Sequence, residues 1–444
     1  MGQNRRSFVK KSAALLGGVA VAGSLPIQYA CKRSGPGDTI RVGLIGCRNM
    51  GYTNITKFIV NPDVQVVALC DVDESILENR AADLQKFAYD NNIEGYINPH
   101  LDADFRTLLD RKDIDAVIIG TPDHWHALMT IKACQSGKDV YVEKPMANSI
   151  GEADLMVKAG ERYKKVIQVG QWQRSGPHWL NASEYLQSGK LGKISNIDVW
   201  LNGGNPLPVV PDSAPPPGVD YDMWLGPAPL RPFNANRFHY NFRWFWDYAG
   251  GKMTDWGVHL LDMALMMMGV LNPQEIVSEG GNFVYPDHAM ETPDTLTAKY
   301  RFGDLIVTWK NDFGQKTNEY GLNHGLVFHG ENGKMVASRN GWEVIPEMIN
   351  GSPAIEAVEK QPQTGKDLDL HVRNFLDCVK SRNRETNCSA EIGRNVARVA
   401  HMGNISYRTG ETIHWNPETA TFQENAANNL LIPEYRKPWG IPQL

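Results

Sequence analysis

The chain is short of cysteine, carries no marked excess of either charge, and has no apolar run long enough to cross a bilayer. Six cysteines in 444 residues do not make a disulfide framework. Cys47, Cys70 and Cys134 fall in segments that read as sheet or helix core, so buried free thiols are the simpler expectation. Lys and Arg number 45 against 50 Asp and Glu, for a formal net charge of -5. Without a basic footprint, no nucleic-acid partner is expected. The apolar, Gly/Ala-rich stretch from Ala13 to Leu25 is too short for a membrane span. Ligand spacing for a metal is also missing, since no third group converges with any histidine and carboxylate pair, and no metal is expected.

What is present is apolar residues in quantity, 42% of the chain with Trp 12, enough for large cores and two domains behind a leader. Asn4-Arg5-Arg6-Ser7-Phe8-Val9-Lys10 ahead of the apolar stretch reads as a twin-arginine signal over residues 1–31, followed by a polar linker over 32–38. Cys31 stands where a lipidated cysteine would, although Gln28-Tyr29-Ala30 is a poor lipobox. A membrane tether is expected only if Cys31 carries lipid. Otherwise the mature chain is expected in the periplasm, exported already folded. No nicotinamide pool exists there to exchange with, so a cofactor bound before export would have to be held tightly and recycled in place.

That constraint matters because a dinucleotide-binding pattern follows the leader. Arg41-Val-Gly-Leu-Ile-Gly46-Cys-Arg48-Asn49-Met50-Gly51 reads as strand, glycine turn and helix. The next strand, Val64 to Cys70, ends in Asp71. Gly46 and Gly51 hold the first and third glycine positions of the fingerprint, and Arg48 replaces the second. Arg48 therefore either displaces the pyrophosphate or donates to it. A carboxylate at Asp71 accepts from ribose hydroxyls and repels a 2'-phosphate, which favours NAD over NADP; the competing reading makes Asp71 a helix cap. Further unalternated strands, Ala116 to Gly120 and Asp139 to Glu143, alternate with helices, which predicts a doubly wound α/β domain over 39–165.

From 166 to 415 the pattern changes to long alternating segments, Ile194 to Leu201, Gln274 to Val284, Thr295 to Arg301, Leu305 to Asn311 and Gly325 to His329. They predict an open, mostly antiparallel sheet packed on helices. A Pro- and aromatic-rich insertion at 203–248 is long enough to expect a functional role, and the irregular tail at 416–444 is expected to wrap the surface or a neighbouring subunit.

Three places carry chemistry. Glu143-Lys144-Pro145 closes a parallel strand, which puts Lys144 at the ligand-binding edge of the sheet, where it can donate to a substrate hydroxyl; the bland alternative is a solvated lysine. Helical spacing places Asp255, His259 and Asp262 on one stripe, with Asp255 one turn before His259 as the arrangement of a general acid/base pair. The alternative makes Asp255 an N-cap and His259 a satisfied core histidine. Aromatics mixed with polar groups, Gln171-Trp172-Gln173-Arg174 and His239 to Trp246, suit a sugar, whose C–H faces stack while its hydroxyls hydrogen-bond; interdomain packing explains them equally well.

With these residues assembled, the chain resembles the Gfo/Idh/MocA family of glucose-fructose oxidoreductase and inositol dehydrogenase over roughly Thr39 to Tyr407. The resemblance rests on the Gly46 turn, Thr121-Pro-Asp-His-Trp-His126, Glu143-Lys144-Pro145, and Asp255 with His259. It implies a Rossmann domain, a C-terminal α/β domain that forms homodimers or homotetramers through its sheet, and a sugar, polyol or glycoside substrate. It implies catalytic roles for Lys144, Asp255 and His259. Gly46, Arg48, Asn49, Met50, Gly51, Asp71, Thr121, His126, Glu143, Lys144 and Gln171 would face the cofactor. Trp172, Arg174, Tyr240, Arg243, Asp255 and His259 would face the substrate.

Two activities follow from the resemblance. One is NAD(P)-dependent oxidation of a ring hydroxyl, such as that on C3, with a captive cofactor. The other resembles the family's NAD-dependent glycosidase branch, in which transient C3 oxidation permits elimination, water adds, and the ketone is reduced back. A non-catalytic sugar binder is a third reading, and the intact Lys144, Asp255 and His259 set argues against it.

Overall fold

The computed structural model describes residues 39–444; the expected leader, linker and Cys31 lie outside the described residues. The chain begins with alternating strands and helices: β1 (Ile40–Ile45), α1 (Asn49–Ile59), β2 (Val64–Cys70), α2 (Glu74–Asp90), β3 (His100–Asp102), α3 (Phe105–Asp110), β4 (Ala116–Ile119), α4 (Asp123–Gln135), β5 (Asp139–Val142), α5 (Ile150–Tyr163) and β6 (Ile167–Val169). All neighbours pair in parallel, in the order β3-β2-β1-β4-β5-β6. The apolar runs are explained by burial on both faces, with every residue of β4 and β5 enclosed. Leu108, Trp125, Leu128 and Ile131 cover one face. Ile55, Phe58, Leu84 and Phe375 cover the other, and each such side chain contributes about 1.5–3 kcal/mol by leaving water.

Next come α6 (Pro177–Gln187), β7 (Ile194–Asn202), the short α7 (Tyr221–Leu225), a π-helical turn over Met253–Gly257, α8 (Val258–Met268), β8 (Glu275–Gly281), β9 (Thr295–Phe302), β10 (Leu305–Asp312), β11 (His324–Gly330), β12 (Gly333–Ser338), β13 (Gly341–Pro346), the two-residue β14 (Met348–Ile349) and β15 (Ser352–Pro353), and β16 (Val358–Pro362). Two long helices, α9 (Asp367–Ser381) and α10 (Ala390–Thr409), precede β17 (Ile413–Asn416) and β18 (Thr421–Phe422). Ten of these strands form one sheet, ordered β16-β13-β12-β11-β7-β10-β9-β8-β17-β18. It is mixed, because β7 and β10 run parallel. A parallel neighbour needs a crossover, and the long connection holding the insertion and α8 supplies it. Trp179, Tyr300, Trp309 and Phe328 fill the core between this sheet and helices α6, α8 and α10.

The tail does not hang free. Tyr435 Oη donates to Glu152 Oε1, Arg436 pairs with Asp222 at 2.6 Å, and the Trp439 ring lies 5.0 Å from Trp125. It thus lies against both the first domain and the insertion of its own chain. The five described cysteines are free and buried. No described helix is long and apolar enough to cross a membrane.

Candidate active site

Strand order reverses between β1 and β4, and a cleft of about 1100 Å³, counting its open mouth, lies beyond their carboxyl ends. Gly46 turns there at φ 85°, and a Cβ on it would stand 2.7 Å from the backbone at Gly120 and Thr121. Only glycine fits. A Cβ on Gly51 would fall 1.9 Å from Gly46 O, so this glycine lets α1 approach the turn and does not itself line the cleft. Arg48 is the N-cap of α1, without a capping side chain and with no acidic residue in the first turn. An uncapped helix N-terminus flanked by a guanidinium suits a pyrophosphate. Asn49 and Met50 also line the cleft.

Asp71 lies in the same cleft, accepting from Cys47 N at 2.8 Å and Asp73 N at 3.1 Å, and burial pushes its carboxyl up to about 6. It is not the helix cap; Asp73 caps α2 through Ile76 N. These residues fit a dinucleotide, with α1 and Arg48 at the phosphates and Asp71 at the ribose hydroxyls. The insertion closes over them. Met223, Trp224, His239, Tyr240, Phe242 and Arg243 line the cleft from its far side. His239 Nε2 meets Asp73 Oδ2 at 2.9 Å, and Asp220 N donates to Val72 O, which stitches the insertion to the end of β2.

At the other end, Lys144 emerges from β5 and donates from Nζ to Asp255 Oδ1 at 2.8 Å and to Asp255 O at 2.9 Å. Both side chains are 14% exposed, so Lys144 is not a solvated lysine. Arg243 Nε approaches the same carboxylate at 3.4 Å. Despite its burial, Asp255 is held well below the usual carboxylate range by Lys144, Arg243 and, more weakly, Lys252. Glu143 and Thr121 complete this wall. Glu143 accepts from Asn54 Nδ2 at 2.8 Å, and burial raises its pKa.

Asp255 and His259 share no hydrogen bond among the described residues: Asp255, in the π-helical turn, pairs with Lys144 and Asp262 pairs with Arg174, while the charges of Asp255 and Lys144 still reach the His259 ring. His259 is 4% exposed and is not a satisfied core residue, because its Nδ1 is buried without a partner among the described residues. Burial, then Arg339 and Lys144, hold it well below its ordinary pKa, so it is neutral at pH 7.

Besides Gly51, three expected contacts are corrected. His126 is enclosed, with its ring nitrogens 2.7 Å from Pro145 O and 2.9 Å from Thr121 O; it holds the two loops that line the cleft and does not itself line it. Gln171 is likewise committed, donating to Val258 O and accepting from Cys388 Sγ. Arg174 is bound to the buried Asp262 at 2.6 Å and does not line the cofactor cleft. Tyr240 and Arg243 do reach the cleft. Trp172 stands 5.9 Å from His259 and outside the cofactor cleft.

One cleft residue went unread. Asp123, at the start of α4, is 6% exposed, and burial pushes its carboxyl up to about 8. It sits inside the Thr121 to His126 motif, where a carboxylate at a strand-to-helix junction was the available signal.

Fold and site together define a two-domain chain with a Rossmann-type dinucleotide cleft. Residues 40–171 match the family described as "Oxidoreductase family, NAD-binding Rossmann fold", and residues 200–441 match "Oxidoreductase family, C-terminal alpha/beta domain". The chain belongs to the Gfo/Idh/MocA oxidoreductase family.

A glycosyl hydrolase family 109 protein of Shewanella baltica (strain OS185) is 29% identical over 205 residues, covering 43% of this chain and 44% of the relative. The match thus spans less than half the length of that relative. The uncharacterized oxidoreductase YrbE of Bacillus subtilis (strain 168) is 23% identical over 382 residues, 84% of this chain and 95% of the relative. Among solved structures, the WlbA dehydrogenase from Bordetella pertussis, in complex with NADH and UDP-GlcNAcA, superposes with a TM-score of 0.61 at 17% identity, covering 85% of this chain and 99% of the other. That likeness is one of fold.

Proposed function

We propose that the protein oxidises a ring hydroxyl of a sugar, polyol or glycoside, using NAD in preference to NADP and keeping the cofactor bound between turnovers. The observation that carries this reading is Lys144, anchored on Asp255 at the end of the cofactor cleft. A bound nicotinamide supplies a hydride acceptor beside that lysine. Lys144 then has an N–H to offer the reacting hydroxyl, and Asp255 fixes its direction. His259, neutral and with an unpartnered ring nitrogen, is the group able to take the hydroxyl proton. Asp71 favours NAD, since a 2'-phosphate beside a carboxylate would be repelled. The insertion stitched to Asp73 favours retention.

A second reading, a glycosidase that oxidises its substrate transiently and then reduces it back, is favoured by the glycosyl hydrolase family 109 relative. Both readings suit export by the twin-arginine route to the periplasm, because neither needs a free cofactor pool. Assembly as a homodimer or homotetramer through the ten-stranded sheet, and a lipid tether on Cys31, belong to the same proposal.

The test is to release the cofactor from purified protein by denaturation, identify it by mass, and assay the intact protein on sugars and nitrophenyl glycosides. Bound NAD reduced by a sugar without cleavage supports the dehydrogenase. Cleavage without added NAD supports the glycosidase. Neither reaction on any sugar, with the cofactor in place, would remove the enzyme reading.

A further inference from the structure

Beyond Asp255 the wall away from the cofactor cleft is built by three segments distant in sequence: Trp172 after β6, Trp256 in the π-helical turn, and the hairpin between β12 and β13 that carries Arg339. The Arg339 guanidinium is sandwiched between two indoles, 4.6 Å from the Trp172 ring centre and 4.3 Å from that of Trp256. Its Nε donates to Gln173 Oε1 at 2.9 Å. Its two terminal amino groups have no partner among the described residues, and no described carboxylate lies within 4.0 Å of it. The His259 ring stands 5.9 Å from Trp172 and 6.3 Å from Trp256.

Charge around this wall leans positive, because Glu143 and Asp123, the carboxylates that also act on Lys144, are pushed by burial toward their protonated forms. Lys144, Arg243, Lys252 and Arg339 converge on the neighbourhood of Asp255, the carboxylate that Lys144 and Arg243 already share. Lys252 lies over Trp244 at 5.4 Å and Phe313 at 5.1 Å, without an ion pair among the described residues. Asp262 is neutralised by Arg174. Asp367, the other carboxylate near Arg339, lies beyond ion-pair distance, and burial raises its pKa. An oxidised nicotinamide adds one more positive charge. Part-buried cations in excess are costly unless something that binds there is negative.

We propose that the substrate is an acidic sugar, a pyranoside bearing a carboxylate, and that the free edge of Arg339 grips that carboxylate, with Lys252 as a second positive group. This rests on the sugar-oxidising reading and names the substrate class for that site. Arginine suits the task better than lysine, because its planar fork matches two carboxylate oxygens, and stacking between Trp172 and Trp256 removes its rotational freedom in advance. The assignment also bears on His259. Arg339 is foremost among the charges that depress its proton affinity, so a carboxylate paired with Arg339 offsets that effect and makes His259 a better base when the acidic substrate is in place.

The test is titration calorimetry of NAD-loaded protein with paired methyl glycosides, glucuronate against glucose and galacturonate against galactose, with the matching 6-sulfate esters alongside. The wild type should bind one uronoside at least about tenfold more tightly than its neutral partner, as expected for a charge-assisted hydrogen-bonded pair. Raising the salt should narrow that preference. Arg339→Met, which keeps an apolar chain between the indoles, should abolish the preference, and Arg339→Lys should restore part of it.

Equal binding of acidic and neutral sugars by the wild type, or a preference that survives in Arg339→Met, overturns the proposal and leaves the sugar-oxidising reading standing. Tighter binding of a sulfate ester than of the uronoside overturns the carboxylate assignment. Binding of no sugar of either kind overturns the sugar-oxidising reading and this proposal with it. The comparison within the wild type needs no variant to fold.

Discussion

Replacing Asp255 by Asn removes the one carboxylate that Lys144, Arg243 and Lys252 share, while keeping the side chain's shape. Lys144 and Asp255 are 14% exposed, so the pair is largely shielded from solvent and the loss should resemble the breaking of a buried pair, about 3–5 kcal/mol. For a domain of this size, roughly 2 °C per kcal/mol applies, so the melting temperature should fall by about 6–10 °C at pH 7.

The pH dependence sharpens the test. Asp255 is held below the value it has in an unfolded chain, so its contribution is fully present above about pH 4 and is lost as pH falls through its folded value. The gap between wild type and Asp255→Asn should therefore be constant from pH 5 to 8. It should narrow below pH 4 at up to about 1.4 kcal/mol per pH unit. Scanning calorimetry at a series of pH values reads this directly. A gap below about 1 kcal/mol at pH 7, or one of the same size at pH 7 and pH 3, would refute the claim that Asp255 is the ionised anchor of Lys144.

Lys144→Ala and His259→Ala should each lower turnover by orders of magnitude while calorimetry shows a folded protein; near-normal rates in both would remove the site assignment. Asp123→Asn should be stabilising, with the difference from wild type growing from about pH 4 to pH 8 and level above that. The folded carboxyl keeps its proton up to about 8, whereas the unfolded one does not. A difference in melting temperature independent of pH would mean that Asp123 is not protonated in the folded state. His239→Ala removes the 2.9 Å contact with Asp73, so bound cofactor should leave about tenfold faster on dilution, read by its fluorescence in the reduced form. An unchanged rate would show that the insertion does not retain the cofactor.

The first domain was legible because its signals are local. A parallel strand buried on both faces is an unbroken apolar run, and Gly46, Gly51 and Asp71 act within one strand-turn-helix unit, so the residues that form the cofactor cleft are close in the chain. The edge position of Lys144 followed from the strand that precedes it. Strands β7 to β11 were legible by alternation, whereas β12, β13 and β16 are short and broken by Gly333, Gly341 and turns.

Partners were what local pattern left open. His126 and Gln171 lie in the expected motifs, yet whether a buried side chain faces a ligand or a neighbouring loop depends on carbonyls such as Pro145 O and Val258 O, which only the packed chain brings near. Helical spacing put Asp255 and His259 on one stripe, but it could not show that Asp255 accepts its hydrogen bonds from Lys144, which arrives from β5. Arg339 carried no signal at all. Its setting joins a hairpin to two tryptophans 83 and 167 residues earlier in the numbering, at 256 and 172. Sequence alone therefore determined which chemistry this chain can hold, because fold class and cofactor turn are written in local periodicity. Tertiary structure decided which of the available acids, bases and cations come together at the cleft, because burial and charge balance depend on every segment at once.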